Sequence, residues 1–173
     1  MSGGLFDVSH MGRFSIRGRD ARSFLDRVCT RQILGMQDGQ ARYSMVCNAE
    51  GGVKDDVLVY KLGDDDYLMV CNASNRQKLI EHFDAVRGDD VFAFEDLTMK
   101  SGMIAVQGPR VMEIIGKYSS SIPQLKRYRF KRIDVMGVDI MVSRTGYTGE
   151  DGVEVIVRTD SMAAKLALKL FLG

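Results

Sequence analysis

The chain has 173 residues, 45% hydrophobic and 27% charged, with a formal net charge of +1. That is long enough for one large domain or two small lobes, and the composition excludes a disordered chain. Near-zero net charge removes any bulk attraction to nucleic acid or an anionic membrane, and no apolar run approaches transmembrane length. Three cysteines, Cys29, Cys47 and Cys71, form no CxxC pair, and the expectation is buried free thiols in a reducing compartment. With His10 and His82 far apart, no metal site is expected.

Met11 to Ile16 is a strand candidate. Asp20 is expected to N-cap a helix whose apolar face is Ala21, Phe24, Leu25 and Val28, spaced i, i+3, i+4, i+7. Ala41 to Cys47 alternates Tyr43, Met45 and Cys47 against Arg42, Ser44 and Val46, as a strand with one polar face does. After the turn at Asn48 to Gly52, Val53 to Tyr60 is the next strand, and Tyr67 to Asn72 follows it. Ser74 with Gln77 has the form of a capping box for a helix burying Leu79, Ile80, Phe83 and Val86. Val91 to Phe94 is an edge-strand candidate.

The second half repeats this order. Gly102 to Gln107 reads as a strand, and Pro109 opens a helix carrying Val111, Ile114 and Ile115. Strands are expected at Arg127 to Val135, Val138 to Ser143 and Val153 to Val157, then a strongly apolar helix at Ser161 to Leu172. No closing strand is visible in this half. Lys126 to Arg132 interleaves cations with aromatics, which fits a strand with a cationic outer face better than a polyanion patch. The expected fold is α+β, with two ferredoxin-like (split βαβ) lobes of antiparallel sheet and helices. The lobes are assigned to residues 1–97 and 98–173, the second incomplete at its C-terminus.

Two stretches carry candidate chemistry. In Gly51 to Tyr60, period-two alternation separates Asp55 from Asp56 and sets Asp56 on a face with Leu58 and Tyr60. An acid beside apolar groups has to be paired, hydrogen-bonded or used, so Asp56 is the acid to explain. In Arg144 to Glu154, three glycines within seven residues exceed the needs of a plain hairpin and allow close backbone approach to a ligand. A carboxylate accepts in parallel from the two N–H groups of an amidine-like edge, as on a guanine or a pterin, and tyrosines border such a ring well. Asp56, Tyr60, Tyr43, Tyr147 and Glu154 are candidates for that set.

The ordered motifs Leu5 to Gly12, Asn48 to Asp56, Ala105 to Pro109 and Arg144 to Glu154 resemble those of aminomethyltransferase, the T-protein of the glycine cleavage system. The resemblance implies folate-binding α+β lobes, with the family's C-terminal β-barrel outside this chain, and tetrahydrofolate as co-substrate without a metal. It implies the lipoylated H-protein as partner, with no nucleic acid or membrane, in a bacterial cytoplasm or a mitochondrial matrix. By motif matching, Asp56 is the implied catalytic residue and Glu154 the pterin-binding one, with Met11, Tyr43, Tyr60, Asn72 and Tyr147 lining the folate pocket. Relative to the family, about fifty N-terminal residues and the C-terminal part are expected to be missing. Related alternatives are the folate domain of a sarcosine or dimethylglycine dehydrogenase, a folate-dependent demethylase, or a non-catalytic folate-binding fragment.

Overall fold

The computed structural model describes residues 3–135 and 137–159. The expected helix at Ser161 to Leu172 lies outside them. The strands in chain order are β1 (Gly4–Asp7), β2 (Gly12–Arg17), β3 (Ala41–Cys47), β4 (Val53–Gly63) and β5 (Asp66–Cys71), then β6 (Ala93–Asp96), β7 (Ser101–Gln107), β8 (Phe130–Val135), β9 (Val138–Ser143) and β10 (Gly152–Arg158). The helices are α1 (Ala21–Val28), α2 (Arg76–Val86) and α3 (Val111–Gly116). The chain divides into two compact units: Met11–Thr98, and Met1–His10 together with the chain from Met99 onward.

In the Met11–Thr98 unit the sheet order is β3-β4-β5-β2-β6, with every neighbouring pair antiparallel. The helices lie on one face, where Phe14, Ile16, Val57, Val59, Met69 and Cys71 meet Phe24, Leu25, Leu79 and Phe83. The apolar stripe expected on α1 is the buried one: Ala21, Phe24, Leu25 and Val28. Phe24 and Phe83 join the two helices edge to face, with ring centroids 5.5 Å apart, a geometry that aromatic quadrupoles favour.

The other unit repeats this topology, in the order β8-β9-β10-β7-β1. Its helix-side core is Ile122, Val142 and Val153 with Met112, Ile115 and Ile140 packed around them. The correspondence reaches single hydrogen bonds. Gly18 and Gly108 have φ of +132° and +146°, and each accepts from the first residue of the following helix, Ala21 N at 3.0 Å and Val111 N at 3.1 Å. Later, Gly39 N donates to Lys61 O and Tyr128 N to Arg144 O, both at 3.0 Å. The edge position beside β7 that matches β6 beside β2 is filled by β1, which pairs Gly4 with Gln107 and Asp7 with Ile104. The second half therefore has its closing strand, taken from the N-terminus. For the same reason the first ten residues group with the second half and not with the first lobe to which they were assigned.

The α+β class with antiparallel sheets is as expected, and several local details are not. Asp20 makes no capping bond to α1; its Oδ2 accepts from Val91 N at 2.8 Å instead. Ser74 lies in a 3-10 turn, Ala73–Asn75, and α2 begins at Arg76 with no side-chain cap. The capping box fails because Gln77 bonds Glu81 and Asn75 is drawn to Asp55. Strand β8 begins at Phe130, not Arg127, because Tyr128 turns the chain at φ +58°. Its cations are locally engaged: Lys131 Nζ donates to Ser121 Oγ at 2.7 Å and Arg132 pairs with Asp139.

Gly39 holds φ +76° at the entrance to β3. A Cβ there disfavours the left-handed region by roughly 1–2 kcal/mol, so Gly39→Ala is expected to lower unfolding free energy by about that much. Urea denaturation monitored by far-UV circular dichroism measures it, and an unchanged midpoint would contradict the assigned strain.

Candidate functional site

Alternation along β4 puts Val53, Asp55, Val57 and Val59 on one face and Asp56, Leu58 and Tyr60 on the other. The structure reverses which acid is buried. Asp55 points with Val57 and Val59 and is 3% exposed, whereas Asp56 is exposed. Asp55 is the acid whose burial has to be explained, and neutral amides answer it. Its Oδ2 accepts from the Asn72 backbone N–H at 2.9 Å, and its Oδ1 from Asn72 Nδ2 at 2.9 Å and Asn75 Nδ2 at 2.5 Å. Sequence reasoning assigned Asp55 and Asn75 no role; an acid whose strand parity matches two core valines was the available signal.

Asp56 lies on the face opposite the helices. Register sets Met45 across from Asp56 and Tyr43 across from Leu58. The Asp56 carboxylate is held at both oxygens: Tyr43 Oη donates to Oδ2 at 3.2 Å, and Asn72 Nδ2 to Oδ1 at 2.9 Å. Tyr43 and Met45 are exposed while Ser44 and Val46 are buried, so the polar-looking set of β3 is the inward one. Strand β3 also carries a bulge at Val46/Cys47. Tyr60, on the Asp56 face, is fully buried. Met11 precedes β2, whose first residue Gly12 pairs with Cys71, so Met11 and Asn72 flank the same end of one ladder. Buried Arg13 anchors this end, donating from Nη1 to Met11 O and from Nη2 to Thr98 O, each at 2.6 Å. The structure thus joins Tyr43, Asp56 and Asn72 by direct hydrogen bonds, with Met11 adjacent.

Glu154 and Tyr147 belong to the other unit. Glu154, in β10, pairs with Ala105 and Ser143 on the face opposite Val153 and Val155, again away from its unit's helix core. It is 8% exposed, and Thr145 Oγ1 donates to its Oε2. Burial pushes its carboxyl above the usual range, and the Thr145 hydrogen bond opposes this only in part. Ser143 Oγ lies 2.7 Å from Thr145 Oγ1, and Gln107 Nε2 donates to Thr145 O at 3.0 Å. A Cβ on Gly146 would fall 2.1 Å from Gln107 Oε1, which is why glycine is needed at that point of the loop. Tyr147 is 84% exposed. The loop's base is closed by the Arg144–Asp151 pair, while Arg144 Nη1 also donates to Leu125 O at 2.6 Å. A cleft of about 90 Å³ there is lined by Arg127, Tyr128, Arg144 and loop residues, but by neither Glu154 nor Tyr147.

Burial raises the Cys29 and Cys71 thiols to about 12, so these two stay protonated at neutral pH. Among the described residues, no group of three or more His, Cys, Asp or Glu could hold a metal ion, and no helix is long and apolar enough to cross a membrane.

Residues 1–171 match the family described as GCVT N-terminal domain. The chain is 40% identical to an aminomethyltransferase of Oceanobacillus iheyensis over 98% of its own length and 47% of the relative's. It is 42% identical to one of Bacillus cereus over 96% and 46%. The crystal structure of the glycine cleavage system aminomethyltransferase T of Bartonella henselae superposes with a TM-score of 0.81 at 27% identity, covering 98% of this chain and 45% of that one. A heterotetrameric sarcosine oxidase of Corynebacterium superposes with a TM-score of 0.65 at 14% identity, a likeness of fold alone. The chain spans about half the length of the curated relatives it matches. With the family match running over nearly every residue and the same fold in a solved relative, the chain belongs to the GCVT N-terminal domain family.

Proposed function

We propose that this chain is the folate-binding region of an aminomethyltransferase of the glycine cleavage system. The observation that carries the reading is Asp56, an exposed carboxylate held at both oxygens by Tyr43 and Asn72. An acid fixed in this way, in place of one tumbling in solvent, can receive an amine N–H in a set direction. In the proposed reaction the one-carbon unit starts bonded to sulfur and nitrogen on the lipoyl arm of the H-protein. The amines of tetrahydrofolate replace both bonds, ammonia and the dihydrolipoyl thiol leave, and 5,10-methylenetetrahydrofolate forms. Asp56 orients and polarises the attacking amine. Met11, Tyr43 and Tyr147 are assigned to the folate ring system and Asn72 to a polar contact, whereas Tyr60 has no exposed surface with which to meet a ligand. The bacterial relatives fit a cytoplasmic setting.

Glu154 is assigned to the pterin. Its burial beside Thr145 shifts its carboxyl toward the neutral form, whereas a pterin's paired donors require the carboxylate. Binding therefore favours the ionised form of Glu154, so affinity rises with pH through its raised titration and levels off above it.

Titration calorimetry of the purified chain with tetrahydrofolate tests the assignment directly; absence of measurable binding would remove it. Asp56→Asn is expected to abolish methylene transfer from the aminomethyl donor while leaving folate affinity nearly intact, and normal turnover in that variant would exclude the role. Glu154→Ala is expected to weaken folate binding by about 2–5 kcal/mol, because paired donors are left buried and unmet. A Glu154→Gln variant isolates the ionisation. The raised carboxyl contributes stability that is fully present below the ordinary glutamate range and lost as pH rises through its folded-state value. Wild type should therefore lose stability relative to the variant as pH rises through that range in denaturation curves, and a difference independent of pH would contradict it.

A further inference from the structure

Asp55 is the only buried acid among the described residues of the Met11–Thr98 unit, and no step proposed above uses it. Two of its three hydrogen bonds run to Asn72, one from the backbone N–H and one from Nδ2. The same Nδ2 donates to Asp56 Oδ1 at 2.9 Å. Ionised carboxylates only accept, so an amide nitrogen flanked by two of them has one admissible orientation. Asn72 Oδ1 is then turned away from Asp55 and remains an acceptor.

We propose that Asp55 is a positioning residue: it fixes the Asn72 carboxamide so that Nδ2 holds Asp56 Oδ1 and Asn72 Oδ1 stands as a second acceptor for the N–H groups of the amine substrate. The substrate's identity rests on the folate-transferase reading; the positioning rests on the hydrogen bonds alone. Asn75 supplies the control, since its Nδ2 meets the network at Asp55 Oδ1 and is hydrogen-bonded to neither Asn72 nor Asp56. Asp55→Asn has nearly the same volume but turns one acceptor into a donor, set against the donors of Asn72 and Asn75. Asn75→Ala removes one donor and leaves both Asn72 bonds in place.

Three measurements on the whole chain decide it: hydrogen exchange of the Asn72 side-chain amide by ¹⁵N NMR, tetrahydrofolate affinity, and methylene transfer. In wild type the Asn72 amide is expected to exchange at least about tenfold slower than a free asparagine side chain. Asp55→Asn should abolish that protection and cut turnover about 10- to 100-fold, the usual effect of losing a group that orients an active one. Folate affinity should change by less than about threefold, a split that places the loss in the reacting geometry. Asn75→Ala is expected to lower Tm comparably and to keep turnover within about twofold. Equal loss of turnover in both variants at equal loss of Tm would mean that Asp55 is merely structural. Unprotected exchange of Asn72 in wild type would overturn the proposal even if Asp55→Asn did not fold. If wild type neither binds tetrahydrofolate nor transfers methylene, the functional reading fails, and the Asn72 exchange still decides the positioning.

Discussion

A carboxylate with 3% of its surface in water has to find its donors inside the protein, because leaving it unsolvated and unbonded costs several kcal/mol. Asp55 finds them all in residues 72–75, the segment that leaves β5 and turns into α2. Much of the candidate site depends on that solution. It holds the start of β4 to the end of β5, takes Asn75 out of helix capping, and sets the Asn72 carboxamide that grips Asp56. Met11 falls at the same end because Gly12 pairs with Cys71. One buried acid thus ties residues 72–75 beside a second, exposed one.

The repeated topology explains why the candidate ligand-binding acids have comparable settings. Each unit packs its helices on one face of its sheet, which leaves the opposite face available for other work. Asp56 and Glu154 each lie on that opposite face of their own sheet. What differs is how each is satisfied. Asp56 is exposed and shares donors with its neighbours, while Glu154 is buried with a single hydroxyl on one oxygen and is pushed toward its neutral form. The first arrangement suits an acid that must stay oriented during a reaction. The second suits an acid whose full hydrogen bonding is completed by a ligand.

Local pattern made much of this legible. The α1 stripe is set by helical spacing alone, and the α+β class follows from the repeated element order. Alternation also separated Asp55 from Asp56, but it could not tell which face was wet. That depends on the core around Val57 and Val59 and on the amides of Asn72 and Asn75, which arrive from a different part of the chain. The failed caps have the same origin. Asp20 carries the right side chain for capping, yet it is used by Val91, and α2 starts one residue later than the expected Ser74 cap would place it, at a position where Asn75 is used by Asp55. Strand β1 was missed because four residues carry almost no periodicity. Its pairing is to Ile104–Gln107, about a hundred residues away, where local sequence has no voice.

The position shared by Gly39 and Tyr128 shows what the repeat demands of its loops. Both have left-handed backbone, and both donate their N–H to the far end of the neighbouring strand, Gly39 to Lys61 within β4 and Tyr128 to Arg144 just after β9. Glycine meets that geometry without strain, whereas tyrosine carries roughly 1–2 kcal/mol. The tyrosine persists because its N–H is tied to Arg144, and Arg144 in turn bonds Pro123 O, Leu125 O and Asp151. A residue so connected cannot shift to relax its neighbour. The strained turn and the Gly-rich loop are therefore one construction: Arg144 fixes the loop's base, and from that base Thr145 reaches Glu154 and Gly146 passes close over Gln107.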